Sequence, residues 1–197
     1  MRRCDNRVDA YDQLKQVSDF CREHNIPVHM DGARLYMAAV WSGKSIKDYA
    51  ALADTLYISL YKYLGAPAGA ILCGKAELID QLPVLMKMHG GSMYHNWTNA
   101  AMALHHLDGF EQRLLQAKTQ GEALISRLNT LRGIRINPHK NGCSNYKMEL
   151  SGIATDAFRQ RLSEEGIRAG LTSFVVNETI LYRSNDDLFR SFKRAIG

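Results

Sequence analysis

Two apolar runs, residues 26–30 and 55–60, each stop at a charged side chain followed closely by small residues, and helical spacing fills the interval between them. A short apolar run bounded by turn residues reads as a strand covered on both faces. Strand, helix and strand in succession imply a right-handed crossover, with two parallel strands side by side or nearly so. Asp31 follows the first run and Lys62 the second. Both charges therefore reach one edge of the sheet, the edge at which open α/β sheets present their chemistry.

The rest of the chain fits this frame. Val8, Tyr11, Leu14, Val17 and Cys21 recur at helical spacing and predict a helix ending near His24-Asn25, ahead of the first strand. Residues 35–41 are apolar and helix-forming, Gly43 stops them, and Ser45 with Asp48 three residues later has the form of a capping box. A third apolar run, 68–73, follows the Gly65-Ala66-Pro67 turn too closely for a crossover and is expected to pair antiparallel. From Ala100 the spacing of Ala103, Leu107, Phe110, Leu114, Leu124, Leu128 and Leu131 predicts a long helical stretch with breaks near Gly109 or Gly121. Beyond Gly133 the elements shorten: strands over 134–137, 146–150 and 175–182, a helix over 155–165, and a last helix capped by Ser184 or Asn185.

Taken singly, the two charged residues have ordinary readings. An Asp before Gly is a common turn residue or helix N-cap, and a Lys between tyrosines is a common surface residue. Together they suggest pyridoxal phosphate. An Asp can hold a pyridine nitrogen protonated, which makes the ring an electron sink, and a Lys can anchor the cofactor as a Schiff base. Small residues after each charge let the backbone turn sharply and a ligand approach. His29 shares a strand face with Asp31, so it either touches the cofactor's surroundings or forms a packed, hydrogen-bonded core contact.

The run His29-Met30-Asp31-Gly32-Ala33-Arg34-Leu35, with Lys62 and Leu64-Gly65-Ala66-Pro67-Ala68-Gly69 after it, resembles the threonine aldolase and β-eliminating lyase family of fold-type-I pyridoxal-phosphate enzymes. The resemblance covers nearly the whole chain. It implies an α/β fold: part of a fold-type-I large domain, with a mixed and mostly parallel sheet, over residues 1–132, and a small C-terminal α+β domain over 133–197. Lys62 would carry the cofactor and Asp31 would pair with its ring nitrogen. Arg34 would contact the phenolic oxygen or the substrate carboxylate, and Arg183 on a late segment would clamp that carboxylate. Family members of this kind act on small amino acids and assemble as dimers or tetramers. The implied reaction is retro-aldol cleavage of a β-hydroxy amino acid to glycine and an aldehyde. β-Elimination, carbon–sulfur cleavage or transamination is the alternative within the fold class.

The chain departs from the family in two places. The loop Met88-His89-Gly90-Gly91-Ser92-Met93-Tyr94-His95 has Tyr94 where the family has an arginine near the cofactor phosphate. Only thirty residues precede Asp31 and none is glycine, so the family's phosphate-binding turn is not among them. The sequence thus looks like the C-terminal portion of such an enzyme, and a fragment that folds or dimerises without activity is the competing expectation.

Composition excludes other classes. A net charge of +5, from 25 basic and 20 acidic residues, is scattered rather than massed, and Arg2-Arg3 and Lys193-Arg194 read as solvated faces, so no nucleic-acid partner is expected. No apolar stretch is long enough to cross a bilayer, and no signal-peptide core follows Met1-Arg2-Arg3, so the expected location is cytoplasmic. Cys4, Cys21, Cys73 and Cys143 are too dispersed for a zinc site or disulfide framework, and no metal is expected.

Overall fold

The structure, a computed structural model, describes residues 10–168, 170 and 172–197. Cys4, Val8 and the Arg2-Arg3 pair lie outside them. By contacts the chain forms two units, Asp9–Phe110 and Glu111–Gly197. The long helix beginning at Phe110 thus falls almost wholly in the second unit, whereas the texture change at 132/133 marks where the strands of that unit begin.

The first unit opens with α1 (Tyr11–Glu23), which ends at His24. Next come β1 (His29–Asp31), α2 (Leu35–Ser42), α3 (Ile46–Ala50), β2 (Thr55–Ser59) and β3 (Ala70–Cys73). β1 runs parallel to β2 in the register His29↔Thr55, Met30↔Leu56, Asp31↔Tyr57, and β3 runs antiparallel on the far side of β2. The parallel pair and the antiparallel third strand agree with expectation. The first strand starts later than the expected 26–30, for a local reason. Pro27 has no amide hydrogen, and the Val28 N–H donates to the Asp54 carboxylate at 2.8 Å, so regular pairing begins only at His29. Nor are the runs covered on both faces: His29 and Asp31 of β1 and all four residues of β3 are exposed.

α2 is apolar all round, burying Leu35, Met37, Ala38 and Ala39, and it ends at Gly43 with φ at +72°. The capping box is present: Asp48 N donates to Ser45 Oγ at 3.1 Å, and Ser45 N donates to Asp48 Oδ2 at 2.8 Å. Ser45 Oγ donates to Asp48 Oδ2 at 2.7 Å, and this bond, then the one from Ser45 N, holds the Asp48 carboxyl below its usual range. Ser45→Ala is expected to lower stability by about 1 kcal/mol, read as a shifted midpoint in urea unfolding. The remaining elements are α4 (Ala76–Ile79), α5 (Leu82–Met88) and α6 (Trp97–Leu107).

α7 (Phe110–Leu128) begins after Gly109, whose φ of +64° makes the expected break. It continues unbroken through Gly121, which is there for closeness: a Cβ at that position would lie 2.6 Å from Cγ2 of the fully buried Val176. β4 (Ile134–Pro138), β5 (Asn145–Leu150) and β6 (Ser173–Val175) form an antiparallel sheet in that order. α8 (Thr155–Glu164) and α9 (Asn185–Ile196) pack against each other. Phe158, Phe174 and Phe192 meet at centroid distances of 6.1 and 5.8 Å. The strand expected over 175–182 stops at Val175. The Asn177 side chain accepts from Thr179 N at 2.9 Å and starts a 3₁₀ turn, Glu178–Tyr182, in place of extended chain.

Ser184 caps α9 as expected. Beneath that helix Glu165 accepts from Arg194 Nε at 2.7 Å and from Ser191 Oγ at 3.0 Å. The Arg194 bond and then the Ser191 bond bring its carboxyl down to about 2, against 4.5 ordinarily. A lowered carboxylate value stabilises the fold above the unfolded value and loses that contribution as pH falls. Stability of the second unit is therefore expected to fall between about pH 4.5 and 2. Thermal unfolding across that range should show it, with Glu165→Gln flattening the profile.

Candidate active site

β1 and β2 are short, parallel and in register, so the residues beyond their C-terminal ends emerge side by side. Asp31 closes β1, and Gly32 and Ala33 turn the chain at once into α2. The turn is tight because it lies against β2: a Cβ on Gly32 would sit 2.8 Å from the Tyr57 carbonyl oxygen and 2.5 Å from Leu56 Cδ1. One Asp31 oxygen, Oδ1, accepts from Ala33 N at 3.0 Å. This is the ordinary turn role, and it also fixes the carboxylate's direction. Asp31 remains exposed.

Lys62 follows β2 within the turn 61–63, where Leu64 N donates to Leu60 O at 3.2 Å. Its Nζ lies over the Tyr61 ring, 5.5 Å from the centroid. Arg34 joins the two motifs. Its Nε donates to the hydroxyl of Tyr63, the residue after Lys62, at 3.1 Å. Thus the aspartate turn and the lysine turn are bound to each other by a side-chain bond across 29 residues.

The tyrosines beside Lys62 are polarised in opposite senses. Partial burial and the Tyr61 hydroxyl push the Tyr57 phenol up. Tyr61, bonded by Tyr57 and close to the Lys62 ammonium, is held below the usual phenol range.

Sequence reasoning passed over Ser59. It ends β2, is 3% exposed, and its buried hydroxyl has no hydrogen-bond partner among the described residues. An unpaired buried hydroxyl costs about 1–3 kcal/mol, a cost that a ligand's acceptor oxygen would relieve. A serine closing the strand before the lysine was the available signal. An amine, a carboxylate, a guanidinium and an orphaned hydroxyl at two neighbouring strand ends and the turns after them fit pyridoxal phosphate. They would bind its aldehyde carbon, ring nitrogen and anionic oxygens.

The remaining expected residues have surroundings of their own. The His29 Nδ1 is 2.8 Å from Thr55 Oγ1, across the pair at the start of β1, two residues before Asp31. Arg183 belongs to the second unit, and its guanidinium is committed: Nε donates to Asp187 Oδ2 at 2.6 Å, Nη1 to the Glu165 carbonyl at 2.9 Å and Nη2 to Ser191 Oγ at 2.8 Å. The 88–95 loop lies on the surface of its unit, with Tyr94 89% exposed.

Comparison with known proteins bears on the whole arrangement. The model of the β-eliminating lyase family matches residues 7–147. A low-specificity L-threonine aldolase of Candida albicans is 39% identical over 97 residues, 49% of this chain and 26% of that protein. Low-specificity L-threonine aldolase 1 of Arabidopsis thaliana is 28% identical over 164 residues, 82% of this chain and 46% of that protein. Among solved structures, one from Exiguobacterium sp. 255-15, described as an aromatic amino acid β-eliminating lyase/threonine aldolase, superposes with a TM-score of 0.79 at 25% identity. It covers 96% of this chain and 57% of its own. The chain spans less than half the length of these curated relatives. Among the described residues no helix is long and apolar enough to cross a membrane.

Proposed function

The chain belongs to the β-eliminating lyase family, and from that premise we propose that it carries the lysine-bearing part of a pyridoxal-phosphate site which cleaves small β-hydroxy amino acids, as a threonine aldolase does. Its fold is the corresponding part of the fold-type-I architecture, with the mixed sheet of that class. The observation that carries the reading is the register of β1 and β2, with Asp31 at the end of β1, Lys62 three residues past the end of β2, and Arg34 of the first turn bonded to Tyr63 of the second.

Bound there, pyridoxal phosphate supplies an electron sink for the pair released at the substrate's Cα. Lys62 Nζ would hold the cofactor covalently. Asp31 holds a proton on the ring nitrogen, its direction set in advance by the Ala33 amide. Ser59 donates its orphaned hydroxyl to an anionic oxygen. Arg34 keeps two or more donors beyond Nε for a carboxylate or phenolate, since a guanidinium matches such oxygens in pairs. Carboxylate recognition thus rests with Arg34 rather than with the committed Arg183, while His29 acts through Thr55 to steady β1.

The substrate is a small amino acid, the working assembly a homo-oligomer, and the setting cytoplasmic, where the free thiols of Cys21, Cys73 and Cys143 stay reduced. L-Threonine incubated with the cofactor-loaded assembly is expected to give glycine and acetaldehyde in equal amounts. Ammonia with a keto acid would replace this reading with elimination, and accumulation of pyridoxamine phosphate would replace it with transamination.

A further inference from the structure

Arg34 is held at both of its ends. Its backbone caps α2 between the buried Ala33 and Leu35, and its carbonyl accepts from Ala38 N at 3.2 Å. Its guanidinium is held at Nε, which donates to the Tyr63 hydroxyl at 3.1 Å. Tyr63 is placed as firmly: the next residue, Leu64, is buried, and its N–H donates to the Leu60 carbonyl at 3.2 Å. The carboxylate nearest to Arg34 in sequence, Asp31, accepts at Oδ1 from Ala33 N. The partner of Nε is therefore a neutral phenol, which accepts a hydrogen bond without cancelling the positive charge.

We propose that Tyr63 is a positioning residue that makes this site select a free α-carboxylate: it holds Arg34 by Nε, so that the two Nη atoms receive the substrate's acid group. The proposal rests on the reading of Lys62 as the cofactor's anchor. A carboxylate pairs with a guanidinium either along the Nε–Nη side or across the Nη1–Nη2 end. With Nε donating to Tyr63, the end is what remains, in a plane set by the bond. Freedom given up in advance is not lost again on binding, so an acid gains affinity that a neutral amide in its place does not. Without the phenol oxygen the guanidinium turns and both pairings open. The preference for acid over amide should then shrink about tenfold, the scale of one hydrogen bond to a charged group. A tyrosine that merely tied the two turns together would behave otherwise, since its loss would weaken acid and amide alike.

The test compares glycine with glycinamide as displacers of pyridoxal phosphate from Lys62 in the full chain. Borohydride reduction and peptide mapping give, for each amine, the concentration that halves the label on the Lys62 peptide. The amines differ in basicity, but that difference cancels when the glycine-to-glycinamide ratio is compared between proteins. Tyr63→Phe is expected to move the ratio about tenfold toward that of Arg34→Gln, with the label in the absence of amine retained. An unchanged ratio, or an equal weakening of both amines, would overturn the proposal. If Tyr63→Phe does not fold, nitrogen NMR of the unaltered, cofactor-loaded chain decides. Glycine should shift the Arg34 Nη resonances and leave Nε in place, whereas a shift confined to Nε and one Nη overturns the inference. Absence of label on Lys62 in the unaltered chain overturns the cofactor reading and this one with it; label present with an unchanged ratio overturns this one alone.

Discussion

Lys62→Ala is expected to abolish covalent retention of pyridoxal phosphate. Borohydride reduction of the cofactor-treated chain, followed by peptide mapping, should place the label on the peptide containing Lys62 and find none there in the variant. The expectation follows because anchoring depends on one nucleophilic amine. Lys62 lies beyond β2 with a phenol ring beneath its ammonium and the Arg34–Tyr63 bond beside it. Surface lysines such as Lys15, which is paired with Asp19 at 2.6 Å, have no such environment. Label of equal yield on another lysine in the variant would remove the basis for the site. Lys62→Arg is a useful companion, since it keeps the charge while losing the capacity for imine chemistry.

Gly32→Ala is expected to cost about 1–3 kcal/mol, the usual range for forcing a methyl group into filled space. Against a total of about 5–15 kcal/mol for a typical domain, this is a large fraction. The added carbon would meet the Tyr57 carbonyl oxygen at 2.8 Å and Leu56 Cδ1 at 2.5 Å. A leucine methyl can move, but a carbonyl within a paired strand can move only with that strand. The turn would therefore lift away from β2, carrying Asp31 with it. Denaturant unfolding should show a lower midpoint, and borohydride-trapped label should fall in parallel. Unchanged values for both would mean that the turn has more room than the distances indicate.

What could be read from the sequence, and what could not, follows from the range of the forces involved. Gly43, the Ser45–Asp48 box and Ser184 act on their own turns, so their residue types alone disclosed the helix ends. The parallel pairing of β1 and β2 was legible because a short crossover leaves few alternatives. Several of the misses involve distant partners. Residues 175–182 have strand-forming composition, yet Ile180 and Arg183 give their carbonyls to Gln120, some sixty positions earlier, and Asn177 bends the chain to suit. The bonds of Arg183 to Asp187, Glu165 and Ser191 could not be placed from the sequence either. Ser59 escaped notice because a serine at a strand end is ordinary until its hydroxyl proves buried and alone. Exposure of β3 could not be anticipated either, since hydrophobicity reports what a strand requires and not what covers it.

The bond from Arg34 to Tyr63 has a consequence for inheritance. Positions 34 and 63 make one heritable unit: a change that shortens the arginine removes a donor from the phenol, and loss of the phenol removes the acceptor of the arginine's Nε. Each substitution should be harmful alone and partly forgiven by the other. Lineages descended from such a chain should therefore alter the two positions together or not at all, so that the aspartate turn and the lysine turn pass through drift as a single hereditary piece.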